Sequence, residues 1–221
     1  MLFHKFSHPI EYLDYLNFQE RSRKKKRESI LFLEHPSTIT AGSSAKSENL
    51  LISPELLEKE NITYLSVARG GDHTGHEEGQ LVVYFHIDLI ARGMKLGDFL
   101  REIQESAKLG ILKVWGISVQ ENRESPGLYW SEKPSKKILS LGVYFKSFFT
   151  SYGFALNLSN SGKIFNFINP CGMKAEDMIS IAELGSDPLG REEFIRFIAD
   201  YWMNILTKKY PAKNGKTLRW I

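Results

Sequence analysis

The chain has 221 residues, 42% apolar and 25% charged, with a formal net charge of +3. That composition excludes wholesale disorder, and a lone cysteine, Cys171, excludes an intramolecular disulfide framework or a cysteine-based zinc cluster. Six cations, Arg21, Arg23, Lys24, Lys25, Lys26 and Arg27, fall within seven positions; without them 23 cations face 26 anions, so the basicity belongs to one local run.

The periodicities predict helices and strands in mixture. Residues 10–23 read as a helix with Leu13, Leu16 and Phe18 supplying its apolar face. Residues 30–33 form a short buried strand, closed by His35-Pro36. Strands at 64–68 and 80–87 enclose a polar, glycine-containing loop at 69–79. Leu96, Leu100, Ile103, Ala107 and Ile111 keep the spacing of a helix over 96–114. Residues 136–145 and 152–158 read as neighbouring strands, antiparallel because their connection is short. A last helix carries Phe194, Ile198, Tyr201 and Ile205 on one stripe, widened by Phe197, Trp202 and Leu206. No linker or repeat divides the chain, so residues 1–221 are expected to form one α/β domain with a mixed sheet. No apolar run reaches the roughly 18–20 residues that span a bilayer, and the N-terminus has no apolar signal region. These features predict a soluble protein of a reducing cytoplasm.

Three segments carry residues suited to chemistry. The first, at 69–81, holds Arg69, Gly70, Gly71, Asp72, His73, Thr74, Gly75 and His76, where glycines permit close backbone approach to a ligand. A mobile surface loop is the plain alternative. A metal held by His73, His76, Glu77 and Glu78 is disfavoured, because the spacing is not that of a helical zinc motif. The second is Pro170-Cys171-Gly172, which sets a thiol on a turn, outside any apolar run. The third is the run from Lys136 to Val143. Adjacent lysines in a strand point to opposite faces, so one can be solvated while its neighbour is desolvated toward the working range of an acid/base catalyst.

In this order the segments resemble the octanoyltransferases of lipoate biosynthesis. The resemblance covers roughly residues 29–184. It runs through Leu33-Glu34-His35-Pro36, Thr40-Ala41-Gly42, Glu48-Asn49-Leu50-Leu51, Arg69-Gly70-Gly71, Gly79-Gln80-Leu81 and Pro126-Gly127-Leu128-Tyr129. It continues through Lys137-Ile138-Leu139-Ser140-Leu141-Gly142, Gly153-Phe154-Ala155-Leu156-Asn157 and Ile168-Asn169-Pro170-Cys171-Gly172. The resemblance implies a mixed, largely antiparallel sheet flanked by helices, similar to the catalytic domain of biotin and lipoate protein ligases. It implies transfer of an octanoyl group from octanoyl acyl carrier protein to a lysine of lipoyl domains, those of 2-oxoacid dehydrogenase complexes or the glycine cleavage H protein. No cofactor, metal, nucleic acid or membrane is implied. Cys171 would form the acyl-thioester with Lys137 as its acid/base partner. Arg69 to His76, Ser140, Leu141, Gly142, Gly153, Phe154 and Ala155 would line the acyl site, and the Gly172 N–H or a neighbour would stabilise the oxyanion.

Five positions depart from the family pattern. Gly75 replaces an aromatic residue, Glu77 and Glu78 replace Gly-Pro, Tyr152 replaces a histidine, and Ser43 stands where arginine is common. An ATP-dependent lipoate ligase, an amidotransferase between lipoyl domains and a non-catalytic binder are the competing readings. The basic run is either a solvated helix end or, on the resemblance, a surface that steers an acidic carrier protein.

Overall fold

The structure, a computed structural model, describes residues 2–122, 125–132, 134–212 and 219–220, with Cys171, Arg219 and Trp220 described by backbone alone. In chain order the elements are β1 (Leu2–Lys5), α1 (Tyr12–Lys24), β2 (Ser29–Leu33), β3 (Thr38–Ala41), α2 (Pro54–Lys59) and β4 (Thr63–Ser66). Next come β5 (His73–His76), β6 (Gln80–His86), α3 (Leu89–Arg92), α4 (Leu96–Trp115), β7 (Val119–Glu121) and β8 (Gly127–Trp130). The chain ends with β9 (Lys137–Lys146), β10 (Phe149–Asn157), α5 (Arg191–Asn204) and β11 (Arg219–Trp220).

The main sheet has the strand order β11-β1-β2-β6-β10-β9-β8-β7. Only the β11–β1 and β1–β2 pairs are parallel; the others are antiparallel. Both faces are covered, which is why β2 reads as one apolar run rather than an alternation. Ile30 and Phe32 point to the face packed by α4 and α5, with Phe85, Phe99, Ile103, Phe154 and Trp202. Leu31 and Leu33 point to the opposite face, under α1, with Tyr12, Tyr15, Tyr84 and Tyr152. A small sheet of order β4-β3-β5 stands beside it on its own core of Ile39, Ile164, Phe165 and Ile168.

Two expectations are corrected. Helix α1 forms, but it buries Tyr12, Tyr15, Gln19 and Ser22, and Leu13 is 56% exposed. The surface beneath it is built of tyrosine and histidine rings, which amphipathic tyrosines match better than leucine. The expected loop at 69–79 contains β5, whose sequence His-Thr-Gly-His has no apolar pattern. Its strand conformation comes from antiparallel pairing with β3, His76 opposite Thr38 and His73 opposite Ala41.

Strands β9 and β10 are joined by Ser147 and Phe148, with φ of 52° and 60°, a two-residue turn whose left-handed backbone suits the twist of a hairpin. At the other end of β9, pairing with β8 stops at Ser140, opposite Gly127. The edge of β9 from Leu141 onward is therefore free of β8, and the candidate site forms along it.

Candidate active site

A cavity of about 460 Å³ runs along that edge. Arg69, Gly70, Gly71, Asp72, His73, Thr74 and His76 line it from the small-sheet side, and Ser140, Leu141, Gly142, Gly153, Phe154 and Ala155 from the main sheet. Gly75 does not reach it: a methyl group there would lie 2.6 Å from Ile164 Cγ2, so Ile164 fills the space that a side chain at 75 would need. Sequence reasoning missed other wall residues, among them Tyr12, Val82, Tyr84, Leu100 and Gln104. The hydroxylated aromatics in otherwise buried segments were the available signal.

The Arg-Gly-Gly segment closes the exposed edge, with the Gly70 N–H donating to the Val143 carbonyl at 3.1 Å. The Arg69 guanidinium does not project into the cavity as a free anion-binding group. Its Nε and Nη2 donate to Thr40 Oγ1, Nη2 also to the Thr40 carbonyl at 2.7 Å, and Nη1 to the Gly70 carbonyl. The Gly42, Ser43 and Ser44 amides donate to the Asp72, Arg69 and Gly71 carbonyls. Ser43, at the position where arginine is common, thus serves through its backbone.

Asp72 organises the next turn. Its carboxylate accepts from the Lys46 N–H at 3.1 Å, the His73 N–H at 2.8 Å and the Asn49 amide. Burial pushes the Asp72 carboxyl up, but these donors outweigh it and hold the group below the usual range. Burial, reinforced by His35, brings His76 down to about 3, although its bond to Gln80 opposes the shift. His35 is brought to about 4 by burial. Tyr12 rises to about 12 and Tyr84 and Tyr152 also rise, burial being the leading cause in each. The buried histidines and tyrosines here, His35, His76, Tyr12, Tyr84 and Tyr152, are polar in their atoms and uncharged at neutral pH. Arg69 and Asp72, by contrast, carry charges satisfied by Thr40, Gly70, Lys46, Asn49 and His73. Among the described residues no three His, Cys, Asp or Glu side chains converge as metal ligands.

The departures at Glu77 and Tyr152 have structural explanations. Glu77 is buried and accepts from Asn160 Nδ2, Ser161 Oγ and the Gly162 N–H, tying the end of β5 to the 160–162 loop. Tyr152 has φ 62° within β10, and its N–H donates to the Tyr15 hydroxyl of α1 at 3.1 Å.

Lys137, the first residue of β9, is buried, whereas Lys136 is half-buried. Its Nζ donates to Ser125 Oγ at 2.9 Å and lies 5.5 Å from the centre of the Tyr129 ring. The Tyr129 hydroxyl in turn donates to the Ser125 carbonyl. Ser125 lies two residues before the start of β8 at Gly127, and Tyr129 of β8 stands opposite Lys137 in the ladder. At Gly127, with φ 150°, a Cβ would approach Lys137 Cε to 2.6 Å. The missing side chain is what admits the lysine.

Pro170–Gly172 is one 3₁₀ turn, and Pro170 lines the same cavity as Lys137. The predicted thiol of Cys171 lies outside the described atoms. The turn is fixed on both sides. Before it, the Asn169 N–H donates to the Asn49 carbonyl at 2.8 Å, and Asn49 holds Asp72. After it, Met178 forms a parallel bridge with Lys137 and the Ile179 N–H donates to the Lys137 carbonyl at 3.0 Å. Of the expected oxyanion donors, Gly172 or a neighbour, the Gly172 N–H donates to the Asn169 carbonyl within the turn at 3.1 Å.

A buried lysine and a Pro-Cys-Gly turn thus meet at one cavity along one sheet edge. Residues 9–202 match the lipoyl protein ligase A/B catalytic domain, and the chain belongs to that family. Within it, the chain is 47% identical over 183 residues to the octanoyltransferase of Leptospira interrogans serogroup Icterohaemorrhagiae serovar copenhageni, covering 83% of this chain and 85% of that one. It is 46% identical over 196 residues to the octanoyltransferase of Leptospira borgpetersenii serovar Hardjo-bovis, covering 88% and 90%. Its fold is similar to that of a lipoate-protein ligase A bound with ATP, with a TM-score of 0.72 at 14% identity over 92% of this chain and 86% of that one. That similarity bears out the expected mixed sheet flanked by helices.

Proposed function

We propose that residues 1–221 act as one catalytic domain, an octanoyltransferase that moves an octanoyl group from octanoyl acyl carrier protein to a lysine of a lipoyl domain in the cytoplasm. The observation that carries the reading is that Lys137 and Pro170, the residue before Cys171, line one cavity with the glycine-rich walls of β9 and β10. The octanoyl-transferring relatives support the same assignment.

In the first half-reaction Lys137, as the neutral amine, takes the Cys171 proton and the thiolate attacks the thioester carbonyl. The carbon–sulfur bond to the carrier breaks, and the leaving thiolate receives the proton from Lys137. One thioester replaces another, so this step is nearly balanced. In the second half the lipoyl-domain amine attacks the acyl-Cys171 carbonyl. Lys137 takes the amine proton and returns it to the Cys171 sulfur as that carbon–sulfur bond breaks. Forming an amide from a thioester drives the transfer forward. The apolar part of the wall, Val82, Leu141, Val143, Phe154 and Ala155, suits an alkyl chain.

Intact-protein mass spectrometry tests this. Incubation with octanoyl acyl carrier protein, without ATP, should add one octanoyl group, and Cys171→Ala should abolish the gain. A label retained by the Ala variant, or a requirement for ATP, rules the mechanism out.

A further inference from the structure

The end of α1 and the β9–β10 hairpin meet outside the cavity. Lys26, with φ 47°, reaches across to the hairpin, donating to the Ser147 carbonyl and lying 5.4 Å from the Phe149 ring centre. This contact places the basic run beside the turn of Ser147 and Phe148. Glu20 engages Arg23 and Lys24, and Asp88 engages Lys26. Arg21, Lys25, Arg27 and Lys146 are exposed and enter no ion pair among the described residues.

The hairpin tip departs from local preference in one respect. Two-residue turns of this type favour Asn-Gly, because both residues are left-handed. Here the second position is Phe148, a bulky residue at φ 60° and 53% exposed. Holding such a residue left-handed is unfavourable, and its exposed ring gains little burial. It packs edge-on against Phe145, itself 36% exposed, at 5.6 Å between centroids. A local rule broken without a folding benefit points to a surface kept for contact. Phe145 lies two residues beyond Val143 of the cavity wall, about 7 Å along the strand.

We infer that Lys25, Arg27, Lys146 and the Phe145–Phe148 pair form one docking surface for the acidic carrier protein that delivers the acyl thioester. This rests on the carrier-bound donor proposed above. The cations complement the carrier's acidic face and raise its encounter rate. The aromatic pair supplies the apolar centre that a charged ring alone lacks. Strand β9 then links the docked carrier directly to the cavity wall.

The test compares wild type with the triple variant Lys25→Glu/Arg27→Glu/Lys146→Glu and with Phe148→Gly, which removes the ring while relieving the left-handed backbone. Two quantities are read for each: binding of unacylated holo-carrier protein, and Cys171 acylation from a small octanoyl thioester. Each variant should weaken carrier binding about tenfold or more at low salt, and the triple variant should flatten its salt dependence. Small-donor acylation should stay within about twofold of wild type. Equal loss with both, unchanged carrier binding, or loss of lipoyl-domain binding in its place overturns the assignment. So does wild-type binding to phosphatidylglycerol vesicles that the variants lose while carrier binding persists. Failure of wild type to be acylated even by the small donor instead removes the catalytic reading, and the binding arm still decides the surface.

Discussion

Gly127 and Lys137 share one volume: a methyl group at 127 would sit 2.6 Å from the lysine Cε and 2.3 Å from the Leu139 carbonyl oxygen. The glycine of the Pro-Gly-Leu-Tyr segment is thus the negative image of the lysine beside it. Gly127→Ala should displace Lys137 and destabilise the fold by about 1–3 kcal/mol through overpacking. Ser125→Ala should leave the fold near wild type but slow Cys171 acylation about tenfold, the effect of roughly 1.4 kcal/mol, by removing the hydroxyl that Lys137 holds at 2.9 Å. Ser125→Thr should restore much of the rate. Single-turnover acylation across pH distinguishes the two, because a loosened lysine shifts the profile as well as lowering it. Lys137→Met should abolish transfer and Lys136→Met should not.

Ile164 occupies the space that a side chain at 75 would need. Gly75→Ala should cost about 1–3 kcal/mol against the buried Ile164 side chain. In an Ile164→Ala background that cost should fall by at least half, a coupling in the range of contacting residues. Urea denaturation of the four proteins in the cycle measures it, and strict additivity would contradict the contact.

Glu77 acts on architecture. Glu77→Gln replaces an acceptor oxygen by a donor facing Asn160, Ser161 and Gly162, and should cost about 1–3 kcal/mol. Acylation per folded molecule should stay within about twofold of wild type. A selective loss of rate with unchanged stability would place Glu77 in the chemistry.

Three buried histidines set the acid limit. Burial brings His35 to about 4, and His76 and His86 to about 3, each from an ordinary 6.5. The unfolded chain binds protons that the folded chain refuses, so stability is complete above about pH 6.5 and falls as pH drops toward 4 and 3. Each group contributes a slope of at most about 1.4 kcal/mol per pH unit. His86, outside the cavity and stacked on Phe149, is the clean probe. His86→Phe should reduce the slope of unfolding free energy between pH 6 and 4 by about one proton, as read from urea midpoints.

Much of the architecture was legible from local pattern. The spacing of α4, the alternation that buries Lys137 more deeply than Lys136, and the stripe of α5 follow periodicities that do not depend on distant partners. The expectations that failed depended on such partners. Helix α1 follows its tyrosines because β6 and β10 offer tyrosine and histidine rings. β5 is a strand because β3 pairs with it. Two further relations lack a local signature: the Gly172 N–H donates to the Asn169 carbonyl, and Lys137 reaches the hydroxyl of Ser125, just before β8.

The bridge between Lys137 and Met178 also orders events during synthesis. The lysine leaves the ribosome some forty residues before the segment that pairs with its backbone, and the Cys171 turn lies between them. Until residues 178 and 179 emerge, β9 lacks that partner, and the segment after the Pro170–Gly172 turn is not yet paired to it. A nascent chain halted before that point already contains Lys137 and Cys171, without the backbone pairing that ties β9 to the segment beyond the turn.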